Sequence, residues 1–180
     1  MADIEYQFGD SFVGADVCLF VAGGFVVVRS YFIFSFDPMM KIVLIGAGNV
    51  ATHLGIALQK AGCLILQVYS RTEESASALA DRLLVDYTIV PDEIRRDADL
   101  YIVALKDAVL RQLAPVLVKG REQALFVHTA GSMPMDLWKG LVKRYGVLYP
   151  MQTLASSVKL ISIPYLFIEA SAPAEVGVLR

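Results

Sequence analysis

The chain of 180 residues is short of everything that would suggest a metal centre or a disulfide scaffold. It has two cysteines, Cys18 and Cys63, and two histidines, His53 and His128. None of them stands at ligand spacing from another, so neither zinc nor a disulfide framework is expected, and a reducing cytoplasm is the default location. Charge is scarce too, at 19% of residues and a net −2. With no long basic run there is no electrostatic footprint for nucleic acid. The longest early apolar stretch, Val17 to Val28, falls short of the ~20 residues a membrane helix needs. It is preceded by acids rather than by the basic segment of a secretory signal.

What is abundant is aliphatic and aromatic surface, 56% of the chain. Much of it lies in residues 1–39, where Asp3, Glu5, Asp10, Asp16 and Asp37 face Arg29 alone. That makes −4 there and, from the total of −2, leaves +2 for the rest. This stretch is read as an N-terminal extension outside the fold, with a natural start at Met39 or Met40. A membrane-associating or β-hairpin segment is the alternative.

The informative stretch is Lys41 to Ala61, KIVLIGAGNVATHLGIALQKA. Ile42 to Ile45 read as a strand buried on both faces. Gly46-Ala47-Gly48-Asn49-Val50-Ala51 then fits G-x-G-x-x-[GA], in which the first glycine permits a tight turn. The second lets backbone approach a pyrophosphate, and the small sixth residue lets helix pack on strand. Leu54 and Leu58 follow at helical spacing, and Gly62 sits where a helix stops. The diphosphate is expected at that helix's N-terminus.

A second strand, Leu64 to Tyr69, ends in Ser70-Arg71-Thr72. NAD-preferring domains place a carboxylate here, about 20 residues past the glycines, to take the ribose 2′-hydroxyl. This chain has Arg71 instead, flanked by two hydroxyls, so NADP (NADPH) is read over NAD. Thr72 also suits the cap of the helix from Glu73 to Leu84. Further strands are expected at Val85 to Val90, Asp99 to Leu105, Ala124 to Val127, Val147 to Tyr149 and Ile161 to Glu169. Asp92 to Arg96 reads as a surface turn. The alternation predicts an α/β fold, a doubly wound parallel sheet with ligand beyond the carboxyl ends of the strands. Leu105, Lys106 and the loop His128 to Ser132 fall at that end. Lys106 and His128 are the candidate catalytic groups, while His53 reads as a partly buried helix residue.

With KIVLIGAGNVATHLGIALQKAG, VYSRT, DLYIVALKD, FVHTAGSMPMDLW and YGVLYPMQT in view, Met40 to about Ser171 resembles bacterial Rossmann-like proteins joined to the domain of unknown function 2520. More distantly it is similar to NADP-dependent reductases of the pyrroline-5-carboxylate reductase and 6-phosphogluconate dehydrogenase type. The resemblance implies a cofactor-binding domain over residues 40–171, followed from 172 to 180 by the start of a helical region that completes the site and dimerises. It places Gly46, Gly48, Asn49 and Val50 at the diphosphate, and Ser70, Arg71 and Thr72 at the 2′-phosphate. Leu105 and Lys106 fall near the nicotinamide, and His128 to Ser132 and Pro150 to Thr153 at the substrate pocket. The activity expected is reduction or oxidation of a small carbonyl, imine or hydroxy-acid substrate, with NADP(H) sensing without turnover as the alternative. A chain ending at Arg180 is expected to bind NADP weakly and not to turn over.

Overall fold

The aliphatic run Lys41–Ile45 forms a strand whose last four residues are buried, flanked on both sides by parallel neighbours, as its unbroken apolar character requires. The computed structural model describes residues 20–22, 25–29, 39–150 and 165–172. In chain order the strands are β1 (Phe20–Ala22), β2 (Phe25–Arg29), β3 (Lys41–Ile45), β4 (Leu64–Tyr69), β5 (Asp86–Thr88), β6 (Leu100–Val103), β7 (Leu125–His128), β8 (Arg144–Pro150) and β9 (Tyr165–Ala170). The helices are α1 (Asn49–Lys60), α2 (Glu73–Leu83) and α3 (Asp107–Leu117), with short 3-10 turns at Pro91–Glu93 and Met135–Trp138.

All nine described strands make one sheet in the order β1-β2-β9-β8-β7-β6-β3-β4-β5. From β8 to β5 every pairing is parallel. The chain winds outward from β3 through β4 to β5, then crosses back over β3 to β6 and winds the other way, so the fold is doubly wound α/β. Helices α1 and α2 pack on one face, where Leu54, Leu58, Leu79 and Leu83 meet Ile42, Leu44, Ile65, Leu100 and Ile102. Helix α3 packs on the other, its Leu110, Ala114 and Leu117 joining Val43, Ile45, Tyr101, Phe126 and Trp138. Tyr101 and Phe126 stack across neighbouring strands with ring centroids 4.6 Å apart.

The expected strands are present, shorter at Val85 to Val90 and Asp99 to Leu105, shifted by one residue at Ala124 to Val127 and longer at Val147 to Tyr149, while 161–164 of Ile161 to Glu169 lie outside the described residues. Three differences matter. The last strand, β9, runs antiparallel to β8, so the sheet is parallel only from β8 to β5. Residues 1–39, set apart from the fold on composition, contribute β1 and β2, a hairpin whose Val26 to Arg29 pair with Ile168 to Tyr165. The open edge of β9 has unpaired backbone groups, and the β-branched run of β2 satisfies them. Finally, the expected surface turn around Ile94 is pinned inward. Ile94 is buried, Arg95 N–H donates to Gln67 Oε1 at 2.9 Å, and the Tyr101 hydroxyl donates to the Arg95 carbonyl at 2.7 Å. Arg95 keeps its guanidinium in solvent on Asp97, whose carboxyl is thereby held at about 2.

Buried Arg121 does the rest of the pinning. Its guanidinium donates to the carbonyls of Arg95, Leu117, Lys119, Pro91 and Ile94, with no carboxylate among them. The Leu117 carbonyl ends α3 and that of Lys119 lies just past its C-cap, at the negative pole of the helix dipole, which favours a cation there. Burial still pushes this guanidinium down from its ordinary range. Among the described residues no helix is long and apolar enough to cross a membrane, and no three His, Cys, Asp or Glu side chains are grouped to hold a metal.

Helices α1 and α2 end alike. Cys63 N–H reaches back to the Leu58 carbonyl and Val85 N–H to the Ala80 carbonyl, each closing over a residue in the left-handed region. In α1 that residue is Gly62, as the sequence suggests; in α2 it is Leu84, at φ 56° and 90% exposed. A left-handed leucine costs about 1–2 kcal/mol and glycine gives back about 0.5–1 in chain entropy. Leu84→Gly is therefore expected to raise unfolding free energy by about 0.5–1 kcal/mol, read from the urea midpoint; a lower midpoint contradicts this account of the cap. Arg121→Met strands five carbonyls and is expected to cost about 2–4 kcal/mol in the same assay. An unchanged midpoint would show that those bonds carry no net stability.

Candidate functional site

The site is built where the winding reverses, at the carboxyl ends of β3 and β6. Strand β3 is hydrogen-bonded on both sides to its last residue: Gly46 N–H donates to the Tyr69 carbonyl and Ala104 N–H to the Ile45 carbonyl, each at 2.7 Å. The chain must therefore leave the sheet between two neighbours that have not yet diverged. Gly46 does so at φ 109°, and a Cβ there would stand 2.3 Å from the Ala104 carbonyl oxygen. Both the backbone angle and the space admit glycine alone. Leu105 closes the same corner, its Cδ2 lying 3.4 Å from that Cβ position.

Gly48 is the N-cap of α1, and a Cβ there would meet nothing within 4 Å. Gly48 and Asn49 are exposed and Val50 half-buried, so the first turn of α1 opens to solvent at the switch point. That turn carries no acidic residue and no side-chain cap. Its leading N–H groups and the positive end of the dipole are left to an anion. Ala51 is buried, and a Cβ at Gly55 one turn on would come within 2.8 Å of Leu44 Cδ1; small residues at both positions let α1 lie close on the sheet.

Ser70, Arg71 and Thr72 follow the end of β4, beside the turn. Ser70 N–H donates to the Thr88 carbonyl at 3.3 Å, which fixes the loop. Arg71 is exposed and has no hydrogen bond or ion pair among the described residues. Thr72 is the N-cap residue of α2, but its hydroxyl donates to the Ser75 hydroxyl at 2.9 Å rather than to a backbone N–H. Two residues thus keep free donors for a ligand, Ser70 with its hydroxyl and Arg71 with its guanidinium.

At the end of β6, Lys106 is the exposed N-cap of α3, its carbonyl accepting from Val109 and Leu110 at 2.9 Å. The structure does not bring His128 out beside it. His128 is the last residue of β7 rather than the first of a loop, with no exposed surface. Neither ring nitrogen has a hydrogen-bond partner of good geometry among the described residues. Burial pushes the imidazole below its ordinary range, against the opposing pull of the Pro134 backbone and the Asp107 carboxylate. His53 lies half-buried in α1. Pro150 closes β8, whereas 151–153 of the expected Pro150 to Thr153 wall lie outside the described residues. The sequence reading missed Asp107, which accepts a hydrogen bond from the Ser132 hydroxyl and ties the loop after β7 to the start of α3. Nothing in the spacing of two residues 25 apart signals that pair.

Gly46→Ala is the most direct probe of this corner. The strained angle alone costs about 1–3 kcal/mol, and displacing Ala104 adds to it. Thermal unfolding should show a drop of at least that size. A variant as stable as the parent would mean that the β3 and β6 ends separate freely.

The comparisons agree with this fold. The family model described as Rossmann-like domain matches residues 36–151. Among solved structures, a provisionally named NADP oxidoreductase from Bacteroides fragilis is 50% identical at a TM-score of 0.73, over 79% of this chain and 55% of that one. Prephenate dehydrogenase from A. aeolicus, solved with hydroxyphenyl propionate and NAD+, matches at 21% identity and TM-score 0.56, over 63% and 42%. A pyrroline-5-carboxylate reductase from Coxiella burnetii matches at 20% and 0.53, over 61% and 43%. The last two bear on the fold alone. The chain spans about half the length of these solved structures. Among curated proteins there is no match. With its family model covering well over half of the chain, on the fold built above, the protein belongs to the Rossmann-like domain family.

Proposed function

We propose that the chain binds NADP(H) across the switch point and forms the cofactor half of an oxidoreductase. The observation that carries this reading is the Gly46 corner with the open, acid-free first turn of α1 directly behind it. Such a turn presents backbone N–H groups to a diphosphate with no side chain in the way. The residues present fit the group: the corner excludes any side chain, Gly48 is open to solvent, and Arg71 has a free planar donor set where an NAD-preferring domain has an acid. The name of the Bacteroides fragilis protein supports the NADP assignment.

When bound, the dinucleotide supplies or accepts the hydride. The chain's own contribution is orientation. Gly46 to Val50 would hold the diphosphate, Ser70 and Arg71 the 2′-phosphate, and Leu105 the apolar side of the corner beside the nicotinamide. Lys106, exposed just past the end of β6, would meet a carbonyl, imine or hydroxy-acid substrate with a positive charge. His128 has no surface from which to exchange a proton with such a substrate in this arrangement. The substrate class rests on the resemblance to reductases.

Arg71→Asp places a carboxylate where the 2′-phosphate would lie. Nicotinamide fluorescence titrations are expected to show NADPH binding weakened by ~1.5–3 kcal/mol, the scale of charged hydrogen bonds, with NADH affinity held or improved. Equal loss for both nucleotides would move Arg71 away from the 2′-position. No change for either would remove it from the site.

A further inference from the structure

The loop after β7, residues 129–134, leaves the carboxyl end of β7 beside the end of β6, and its hold on the fold is peculiar. Thr129 N–H donates to the Val103 carbonyl at 3.1 Å and Met133 N–H to the Ala130 carbonyl at 3.3 Å. Gly131 lies under the Tyr149 ring, close enough that a Cβ would stand 2.7 Å from it. Ser132 is tied to Asp107. Inside this wrap sits the imidazole of His128, fully buried, with neither nitrogen in a hydrogen bond of good geometry among the described residues, and its ring centroid lies 6.2 Å from that of Trp138. The Trp138 Nε1 is likewise buried and unpaired.

An uncharged imidazole is tolerable in such a place, because it fills space as a flat, weakly polar ring. A charged one is not: the Pro134 and Ala130 backbone and the Asp107 carboxylate draw the ring towards its charged form, but burial outweighs them, so a proton there is relieved chiefly by water. Gly131, Ser132 and Pro134 are exposed, so water can come from the loop side. The charged and titratable groups on the surrounding elements do not replace that water. Asp107 on α3 attracts the imidazolium but is already engaged by Ser132. Glu169 on β9 has its carboxyl raised by burial and then by the charge of Asp136 on the 3-10 turn. Tyr149 on β8 offers only its ring face to Gly131.

We propose that His128 is a positioning residue rather than a catalytic one: its neutral imidazole supports the 129–134 loop against α3, and its protonation lifts that loop. The device makes the β7 wall of the cleft sensitive to mild acid. The inference does not depend on which ligand the cleft takes. The sign follows from linkage. The buried imidazole gives up its proton more readily than the unfolded one, so stability is full above the unfolded value of about 6.5 and is lost as pH falls below it.

Trp138 is the only tryptophan in the chain, which gives the proposal a direct reporter. An imidazolium in contact range quenches indole emission, whereas neutral imidazole does so weakly. In the full chain, emission is expected to fall as pH drops below about 6.5 while far-UV circular dichroism stays constant. Amide exchange, corrected for intrinsic rates, should show Thr129 and Met133 losing protection over the same range. His53→Gln should leave both transitions in place and His128→Gln should abolish both. Constant emission in the folded wild type overturns the proposal, as does a transition that survives in His128→Gln. Quenching without loss of loop protection overturns it too, because His128 would then titrate without supporting anything. Should His128→Gln not fold, the C2–H resonances of the two wild-type histidines, assigned with His53→Gln, decide the matter. A His128 resonance that titrates in step with the loop amides supports the proposal, and one that does not overturns it.

Discussion

A single close approach governs this molecule: the backbone of Gly46 passes the carbonyl of Ala104 with no room for a side-chain carbon between them. Strand β3 is paired to β4 on one side and β6 on the other, and both pairings persist to its last residue. The chain must turn out of a sheet that is still closed around it. The same turn delivers Gly48 and Asn49 to solvent at the start of α1. Fold and candidate site are thus one constraint, because the corner that lets the sheet wind both ways also exposes the helix N-terminus that suits an anion.

The two faces of the sheet depend on that corner in different ways. On the α1 and α2 face, Ala51 and Gly55 let the helix lie against Leu44, so the turn is held from behind by packing. On the α3 face the strand ends are held by polar contacts over aromatic stacking. Arg121 joins the end of α3 to the Pro91 to Arg95 crossover, and Gln67 and Tyr101 fix the same crossover from within the sheet. This crossover carries the chain from one half of the winding to the other. Pinning it keeps β6, and with it Ala104 and Leu105, at the distance the glycine corner requires.

The sequence is most legible where local chemistry and fold ask for the same residue. The Ile42 to Ile45 run, the glycines at 46 and 48, the stop at Gly62 and the apolar spacing of α1 each have one dominant physical reading, and the structure has them where that reading puts them. Arg121, Gln67 and Ile94 were illegible because their roles come from partners 26 to 30 residues away. A lone arginine, a strand glutamine and an isoleucine in a polar turn carry no periodic signal of those contacts. The direction of β9 was hidden for a related reason: antiparallel and parallel strands share the same composition, and only the connection decides. His128 misled because a histidine at a strand end looks equally suited to a cleft or a core, and the covering loop that decides the matter is invisible in its neighbours' types.

The central claim is that the turn from Gly46 into α1 holds the diphosphate of a nicotinamide dinucleotide. Backbone amide exchange on the full chain, with and without saturating NADPH, tests it most directly. The account predicts that exchange slows most at the amides from Gly48 to Ala51, with smaller changes elsewhere. NADPH bound with those amides unchanged, for example with protection appearing around Leu84 and Asp86 on the far side of α2, would contradict it.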